Sequence, residues 1–447
     1  MRYYVLGGSV AILAVSCLAS GELASFRANA LPSYARQTGE QCAACHVGGF
    51  GPQLTPLGRQ FKLNGYSDGK RVVPLSGMAV ANFTHSASDR AAPVSGHDGV
   101  NDNVALQEAS VFVAGRLARG LGTFIQTTYS EIDRHTALDH FEMRYAHPVS
   151  LGGEQGVLGV VVNNNPTLQD PWNSVGAWSF PYTSPDLGFE SAAASLLQGG
   201  VEHQVLGATT YLSLYNGLYA EVGGYRSLRP AFLDTFGIAS EAGSLSGIAP
   251  YWRIAYSKDW GMQNASVGLI GMNAHLNPDR DGLATDKYSD WGIDATYQFL
   301  GDGKNVFSFN TSYLHENQTL DHAVAVGDTS FARHRLNSLS GDVSWYHDRH
   351  YGLTLGGFHT TGTADANLYA PAAEEGSRTG KPDTDGYIVQ ADWTPFGGAG
   401  QSTFSNLRLG LQYKGYTKFN GAAHDYDGSG RSANDNNTLS MFAWLAF

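Results

Sequence analysis

The residues with the clearest chemical meaning are Cys42, Cys45 and His46, which form a C-x-x-C-H sequence near the N-terminus. This spacing is the attachment motif of a c-type haem: the two thiols form thioethers with the vinyl groups, and the histidine becomes an axial ligand of the iron. A zinc site is the alternative, because C-x-x-C also occurs in zinc knuckles. That site would need a second pair of ligands, and the only other cysteine is Cys17. The motif therefore predicts one covalent haem c.

A second axial ligand is predicted at Met78, the nearest methionine downstream of the motif. Methionine is a common ligand of c-type haem and raises its reduction potential. Two alternatives remain open at this stage. Met78 could be an ordinary packing or lipid-facing side chain, and His85 could be the ligand in its place. We expect His46 and Met78 to bind the iron.

The first thirty residues have the form of a secretory signal peptide. Arg2 precedes an apolar run over residues 5–19, and residues 28–30 have the small-x-small form of a cleavage site. A membrane anchor is an alternative, but the run is short for a bilayer span, and lipid attachment at Cys17 is another. We expect cleavage after Ala30, and export fits the attachment of c-type haem outside the cytoplasmic membrane.

Composition narrows the class of protein. The net charge is 28 − 40 = −12, which argues against nucleic acid as a partner. The chain has 55 glycines and only 15% charged residues, with 12% aromatics. This composition is unfavourable for long helices and suits a large antiparallel sheet.

Most of the chain after residue 76 alternates apolar and polar side chains in segments of about ten residues, the period of a β-strand. In residues 287–299, for example, Trp291 and Ile293 share one face while Asp290 and Asp294 share the other. The pattern predicts sixteen strands, at residues 77–86, 104–117, 122–131, 139–148, 156–163, 197–206, 208–217, 249–257, 263–275, 287–299, 304–317, 335–348, 351–361, 385–395, 404–418 and 437–447. Residues 218–248 could hide a further strand.

Three features favour a membrane barrel over a soluble sandwich. Lysines and arginines fall on the polar faces of the strands, short and long connections alternate, and the chain ends in a strand that finishes with Phe447. We therefore expect an all-β fold, an outer-membrane antiparallel β-barrel of about 16 strands at residues 77–447, after a signal peptide at 1–30. Residues 31–76 are too few to bury a haem alone and are predicted to be a short helical haem-binding plug at the periplasmic mouth.

Several stretches resemble a known family. They are YARQTG at residues 34–39 before the C-x-x-C-H motif, P-x-L at 52–54, G-R-x-F-K-x-x-G-Y at 58–66 and N-N-N-P-T-x-x-D-P-W at 163–172. Together they are similar to the fused monohaem cytochrome c and porin family of outer-membrane iron oxidases. The resemblance implies an iron:cytochrome c oxidoreductase type of electron transfer, from extracellular Fe(II) to a periplasmic cytochrome or cupredoxin. Whether the protein is an enzyme in that sense stays open.

Other functions remain possible from the sequence. The same conduit could serve another donor or acceptor, or the protein could be a porin with a structural haem. The long loop that follows residue 163 could fold inward to narrow the channel or only cap the barrel. Two further sets of residues could bind iron or be plain polar surface. The histidines of this kind include His135, His140, His147, His315, His347 and His350, and the acidic residues are Asp133, Asp139, Asp170 and Asp186.

Overall fold

The computed structural model describes residues 31–447 except 192, 241, 281–283, 302 and 398–404. The predicted signal peptide and Cys17 lie outside the described residues. The strands are β1 Leu75–Ser86, β2 Asn103–Ala118, β3 Leu121–Ser130, β4 His135–Leu151, β5 Glu154–Asn163, β6 Val205–Leu214, β7 Leu218–Ser227, β8 Ser244–Leu245, β9 Ala249–Trp260, β10 Gln263–Asn277, β11 Asp286–Phe299, β12 Asn305–Leu320, β13 Arg333–His347, β14 Tyr351–Gly362, β15 Thr384–Trp393, β16 Asn406–Lys418 and β17 Thr438–Ala446.

These strands form one closed antiparallel barrel. β1 pairs with β2 on one side and with β17 on the other, which closes the sheet. β8 is two residues long and only extends the ladder of β10, while β7 pairs directly with β9. Of the 17 strands in the sheet, 16 therefore make the wall. The fold class predicted from the alternating pattern is confirmed.

The two faces of the wall have opposite chemistry. On β11 the side chains of Trp291 and Ile293 point outward and are 44% and 43% exposed, whereas Asp290 and Asp294 point inward and are 3% and 2% exposed. The outer faces of β13 and β15 are likewise apolar, with Val343 exposed on β13. An apolar exterior around a polar interior is the arrangement of a membrane-spanning barrel, because lipid replaces water outside.

One predicted strand is wrong and one was missed. Residues 197–206 form no strand before Val205; they end a loop inside the barrel, where Leu197 and Val201 pack against the inner wall. Their alternation reflects burial against that wall and not exposure to lipid. The partner of β6 is instead β7, in the stretch left unassigned, where Gly223 and Gly224 interrupt the apolar pattern. The two errors cancel in the strand count.

The N-terminal segment lies inside one mouth of the barrel. Its helices are α1 Pro32–Thr38, α2 Cys42–Cys45 and α3 Pro56–Leu63. Arg349, in the short turn between β13 and β14, donates to Gln41 Oε1 at 2.7 Å. Gly65 packs so closely on the β2–β3 turn that an added Cβ would lie 2.5 Å from Gly120 O. The helices therefore plug the end of the barrel that carries the short turns.

The remaining helical elements belong to connections. α4 Pro230–Thr235 and α5 Asp321–Val326 lie in long loops, and single 3-10 turns occur at Val47–Gly49, Gly176–Trp178, Leu196–Gln198 and Ala433–Asn436. No helix in the described part of the chain has both the length and the hydropathy needed to cross a membrane.

Candidate functional site

The predicted haem-attachment residues sit on one helical turn and its exit. Gln41 precedes α2 in an extended conformation, and His46 leaves the turn with φ −119° and ψ 136° while its N–H donates to Cys42 O at 2.7 Å. The side chains of Cys42, Cys45 and His46 consequently line one cavity of about 430 Å³ inside the barrel. The structure thus brings together the three residues that the motif joins in sequence.

Helix α3 holds this turn in place. Thr55 caps α3 by accepting from Gly58 N–H at 3.3 Å, and its hydroxyl donates to Ala44 O at 2.5 Å. The backbone N–H of Thr55 donates to Cys45 O at 3.0 Å. A Cβ added at Gly58 would lie 2.2 Å from the same carbonyl. The absence of a side chain at position 58 therefore allows the attachment turn and α3 to touch.

The walls near the motif are mostly apolar and aromatic. Phe50 contacts Trp444 of β17 edge to face with ring centroids 4.9 Å apart. Phe61 contacts Tyr34 in the same geometry at 5.1 Å. These four rings line the cavity together with the motif. An apolar pocket of this kind excludes water from a bound group, as haem sites require.

Burial favours the neutral forms of two groups of the motif, His46 and Cys45. Burial lowers the pKa of His46 to about 4, so its imidazole is uncharged and has a lone pair for a metal. Burial, with a smaller effect from Glu40, raises the pKa of the Cys45 thiol to about 11. The backbone of Gly51 approaches the His46 ring, yet its Nδ1 is buried without a hydrogen bond of acceptable geometry among the described residues.

Met78 faces the same cavity from the barrel wall. It lies on the inner face of β1, paired across the sheet with Ala446 of β17, and is 9% exposed. Its side chain packs in a cluster with Val80 and Phe112, so the lipid-facing alternative does not hold. His85 lies further along β1, where its Nδ1 is 2.6 Å from Asp102 Oδ1, and it does not line the cavity. Ligation by Met78 stays a prediction.

The long loop between β5 and β6, residues 164–204, fills the lumen above the plug. Lys62 of α3 donates to Leu168 O at 2.7 Å and to Asp170 O at 3.0 Å. From the opposite wall, Gln412 donates to Thr183 O at 3.1 Å. Burial lowers the pKa of Lys62 to about 8. The loop therefore crosses the barrel and is tied to plug and wall, as the inward-folding alternative describes.

The same cavity is also lined by a polar cluster, one member of which the sequence analysis did not single out. Asp139 and His140 of β4 meet His203, which ends the inward loop. His203 Nε2 lies 3.1 Å and His140 Nδ1 lies 3.3 Å from Asp139 Oδ1. Of the other acidic candidates, Asp170 pairs instead with Arg253, 3.0 Å from its Nε. His203 was missed because no motif marks it.

The other histidines and acidic residues named from the sequence lie elsewhere. This cavity is not lined by His135, His147, His315, His347, His350, Asp133 or Asp186. His135, for example, has its Nε2 2.7 Å from Gly237 O in a neighbouring loop. The lone histidines are therefore spread over the surface, the wall and the loops, and the described residues contain no chain of them through the lumen.

Comparisons with known proteins concern the barrel alone. No family model matches the chain, and no curated protein matches it. Among solved structures, the chain is similar to an anion-selective porin from Comamonas acidovorans, with a TM-score of 0.47 and 14% identity over 83% of this chain and 98% of that one. It is also similar to OmpF of Salmonella typhi in complex with daunomycin, with a TM-score of 0.48 and 13% identity over 83% and 97%. A third similar structure is the outer-membrane channel DcaP of Acinetobacter baumannii, with a TM-score of 0.43 and 14% identity over 83% of this chain and 96% of that one.

Proposed function

We propose that this protein is an outer-membrane monohaem c-type cytochrome built into a barrel, which accepts electrons from extracellular Fe(II) and passes them to a periplasmic cytochrome or cupredoxin. One observation carries the proposal: Cys42, Cys45, His46 and Met78 line a single cavity inside a closed barrel, with mostly apolar and aromatic walls around the motif. The outer-membrane location is supported by the apolar exterior of the wall and by the plug at the short-turn end.

The residues present fit a haem c. The thiols of Cys42 and Cys45 would hold it covalently, His46 offers a neutral imidazole, and Met78 offers a thioether from the wall. The backbone of Gly51 approaches the His46 ring, a contact of the kind that orients a metal-binding histidine. A haem bound there supplies reversible one-electron chemistry. The protein supplies position, ligation and a dry pocket.

Distance restricts how the donor can reach this cavity. The hydrocarbon core of a bilayer is about 30 Å thick, too far for one efficient electron transfer. A single haem near the periplasmic mouth can therefore serve an extracellular donor only if the donor enters the lumen. The same cavity that holds the motif extends to Asp139 on β4 and to His203 of the inward loop, so an ion bound there would share the cavity with the haem.

The test is anaerobic mixing of the purified, oxidised protein with Fe(II) in a stopped-flow instrument. Reduction of the haem band, one electron per chain, is expected. Absence of reduction by Fe(II), together with full reduction by dithionite, would reject Fe(II) as the donor and leave a conduit for another donor or acceptor. No acid-base pair is needed, because the reaction is outer-sphere electron transfer.

A porin with a structural haem is the second candidate. It is favoured by the barrel itself, because a wall of sixteen strands encloses a lumen wide enough for a channel. The plug and the inward loop oppose it, since both occupy that lumen and are bonded to its wall, the plug at the β13–β14 turn and the loop at β16. Large steady conductance in planar bilayers, with a haem that cannot be cycled, would favour the porin.

A further inference from the structure

Three metal-binding side chains converge on the cavity away from the haem motif. Asp139, His140 and His203 each offer one donor atom, and these atoms lie within 4.8 Å of one another. Their side chains are 20%, 12% and 27% exposed, so a solute in the cavity can reach them. His203 Nε2 is 3.1 Å from Asp139 Oδ1 but does not form a well-aligned hydrogen bond with it. At this separation both atoms could bind one ion.

A β-bulge makes this convergence possible. On a regular strand, neighbouring residues point to opposite faces, so Asp139 and His140 could not both face the lumen. In the β3–β4 ladder, Gln126 pairs with His140 and Thr127 pairs with Leu138, which leaves Asp139 as the extra residue. Bulges occur next to functional sites because they re-aim a side chain. The bulge turns the carboxylate and the imidazole into the same cavity.

Asn164, the second residue of the N-N-N-P-T stretch, joins the bulge to His203. Its side-chain NH₂ donates to Asp139 O at 2.9 Å, and its Oδ1 accepts from Phe141 N–H at 2.7 Å. Its carbonyl accepts from His203 N–H at 2.9 Å. His203 itself has φ 64°, a left-handed conformation that costs a non-glycine residue energy. Asn164 therefore bonds the backbone of both Asp139 and His203. The left-handed backbone of His203 directs its side chain into the cavity.

Further contacts fix the ligands and the local charge. His140 Nδ1 lies 3.1 Å from Gln126 Oε1, and Thr128 donates to Asp139 Oδ2 at 2.9 Å. Asn165 donates to Glu202 Oε2 at 3.1 Å beside His203. Such outer contacts orient metal ligands and set the tautomer of a histidine. The side chains of Glu202 and Glu108 line the same cavity, as does Lys62.

We propose that Asp139, His140 and His203 form a binding site for Fe(II) inside the barrel. Two imidazoles and one carboxylate are a donor set suited to Fe(II), and three protein ligands leave positions open for water. As an electron-donor site the cluster rests on the proposed function: Fe(II) would lose one electron and leave as Fe(III), and a ferric haem held by Cys42, Cys45 and His46 would accept that electron. Metal binding itself can be measured without that reaction.

Aromatic rings connect the site with the Met78 wall. Trp178 stacks on His140 with centroids 4.8 Å apart, Phe124 meets Trp178 at 5.9 Å, and Phe112 meets Phe124 at 5.7 Å. Phe112 packs in one cluster with Met78. The ion would therefore lie against the same continuous wall of side chains that bounds the haem pocket.

The test is equilibrium dialysis of the purified haem-loaded protein against Fe(II) under anaerobic conditions. The haem is reduced by dithionite and the excess is removed, so that no electron can move. One Fe(II) per chain is expected to bind. His203→Ala and Asp139→Asn should each weaken binding by at least about 100-fold, since loss of outer-shell contacts alone costs about 10–100-fold. Asn164→Ala, which alters positioning and no ligand, should fall within that smaller range.

The matched control is His147→Ala, on the same strand but exposed and outside the cavity; its binding should equal that of the unaltered protein. A second measurement needs no variant. Co(II) bound in place of Fe(II) has an X-ray absorption edge separate from that of haem iron, and its spectrum should show scattering from two imidazoles. Equal Fe(II) binding in all variants, or Co(II) without imidazole scattering, would overturn the site. If the protein binds Fe(II) but Fe(II) cannot reduce its haem, the proposed function is rejected and the binding site stands.

Discussion

Replacing Gly58 by alanine would disturb the contact between the haem-attachment turn and α3. The added Cβ would lie 2.2 Å from Cys45 O and 3.0 Å from Cys45 C, so the two segments must separate by about 1 Å to reach ordinary contact distances. Overpacking of this kind costs about 1–3 kcal/mol. The movement also lengthens the hydrogen bond that Thr55 N–H donates to Cys45 O at 3.0 Å. Such a bond contributes about 1 kcal/mol to the free energy of unfolding.

The same substitution also stabilises helix α3, because the helix propensity of alanine is about 1 kcal/mol more favourable than that of glycine. The steric and hydrogen-bond losses exceed that gain, which leaves a net destabilisation of the plug by about 1–3 kcal/mol. Opening of the plug should then become about 5–150-fold more frequent, since 1.4 kcal/mol is tenfold. Haem attachment should fall with it, because the thiols of Cys42 and Cys45 lose their fixed positions.

Amide hydrogen exchange of residues 42–63 measures this opening directly, and the pyridine haemochrome spectrum gives haem per chain. Gln60→Ala is the matched control, since Gln60 is an exposed residue of the same helix. Exchange and haem content in Gly58→Ala equal to those of the control would refute the close packing of α2 on α3.

Three further predictions concern the cavity. Met78→Ala should change the optical spectrum of the reduced haem, because it removes the proposed thioether ligand; Met441→Leu, exposed on the outer face, should leave it unchanged. Cys45→Ser should leave the haem held through one thioether only, which shifts the α-band of the pyridine haemochrome; an unshifted band would contradict a second thioether. Lys62→Met should free the inward loop at two carbonyls, at about 1.5–3 kcal/mol for each charged hydrogen bond. Channel conductance in planar bilayers should rise, whereas the exposed Lys70→Met should behave as the unaltered protein.

The alternation of apolar and polar residues in the sequence was sufficient to predict the wall of the barrel. A strand alternates its side chains with period two whatever its partners are, so residues 287–299 showed their lipid and lumen faces in the sequence alone. The failure at residues 197–206 has the same origin. Leu197 and Val201 are buried against the inner wall, and alternation records burial on one side without saying which surface provides it.

The C-x-x-C-H motif is equally local, because Cys42, Cys45 and His46 lie within five residues, the spacing from which a haem is predicted. By contrast, the cluster of Asp139, His140 and His203 depends on a bulge in one strand and on a loop that returns to it after some sixty residues. No spacing in the sequence predicts that these three residues come together, since closure of the barrel determines which loop lies against which strand. The sequence by itself determined the wall and predicted a haem-attachment turn, because both patterns are local; the tertiary structure alone decided which other side chains line the same cavity.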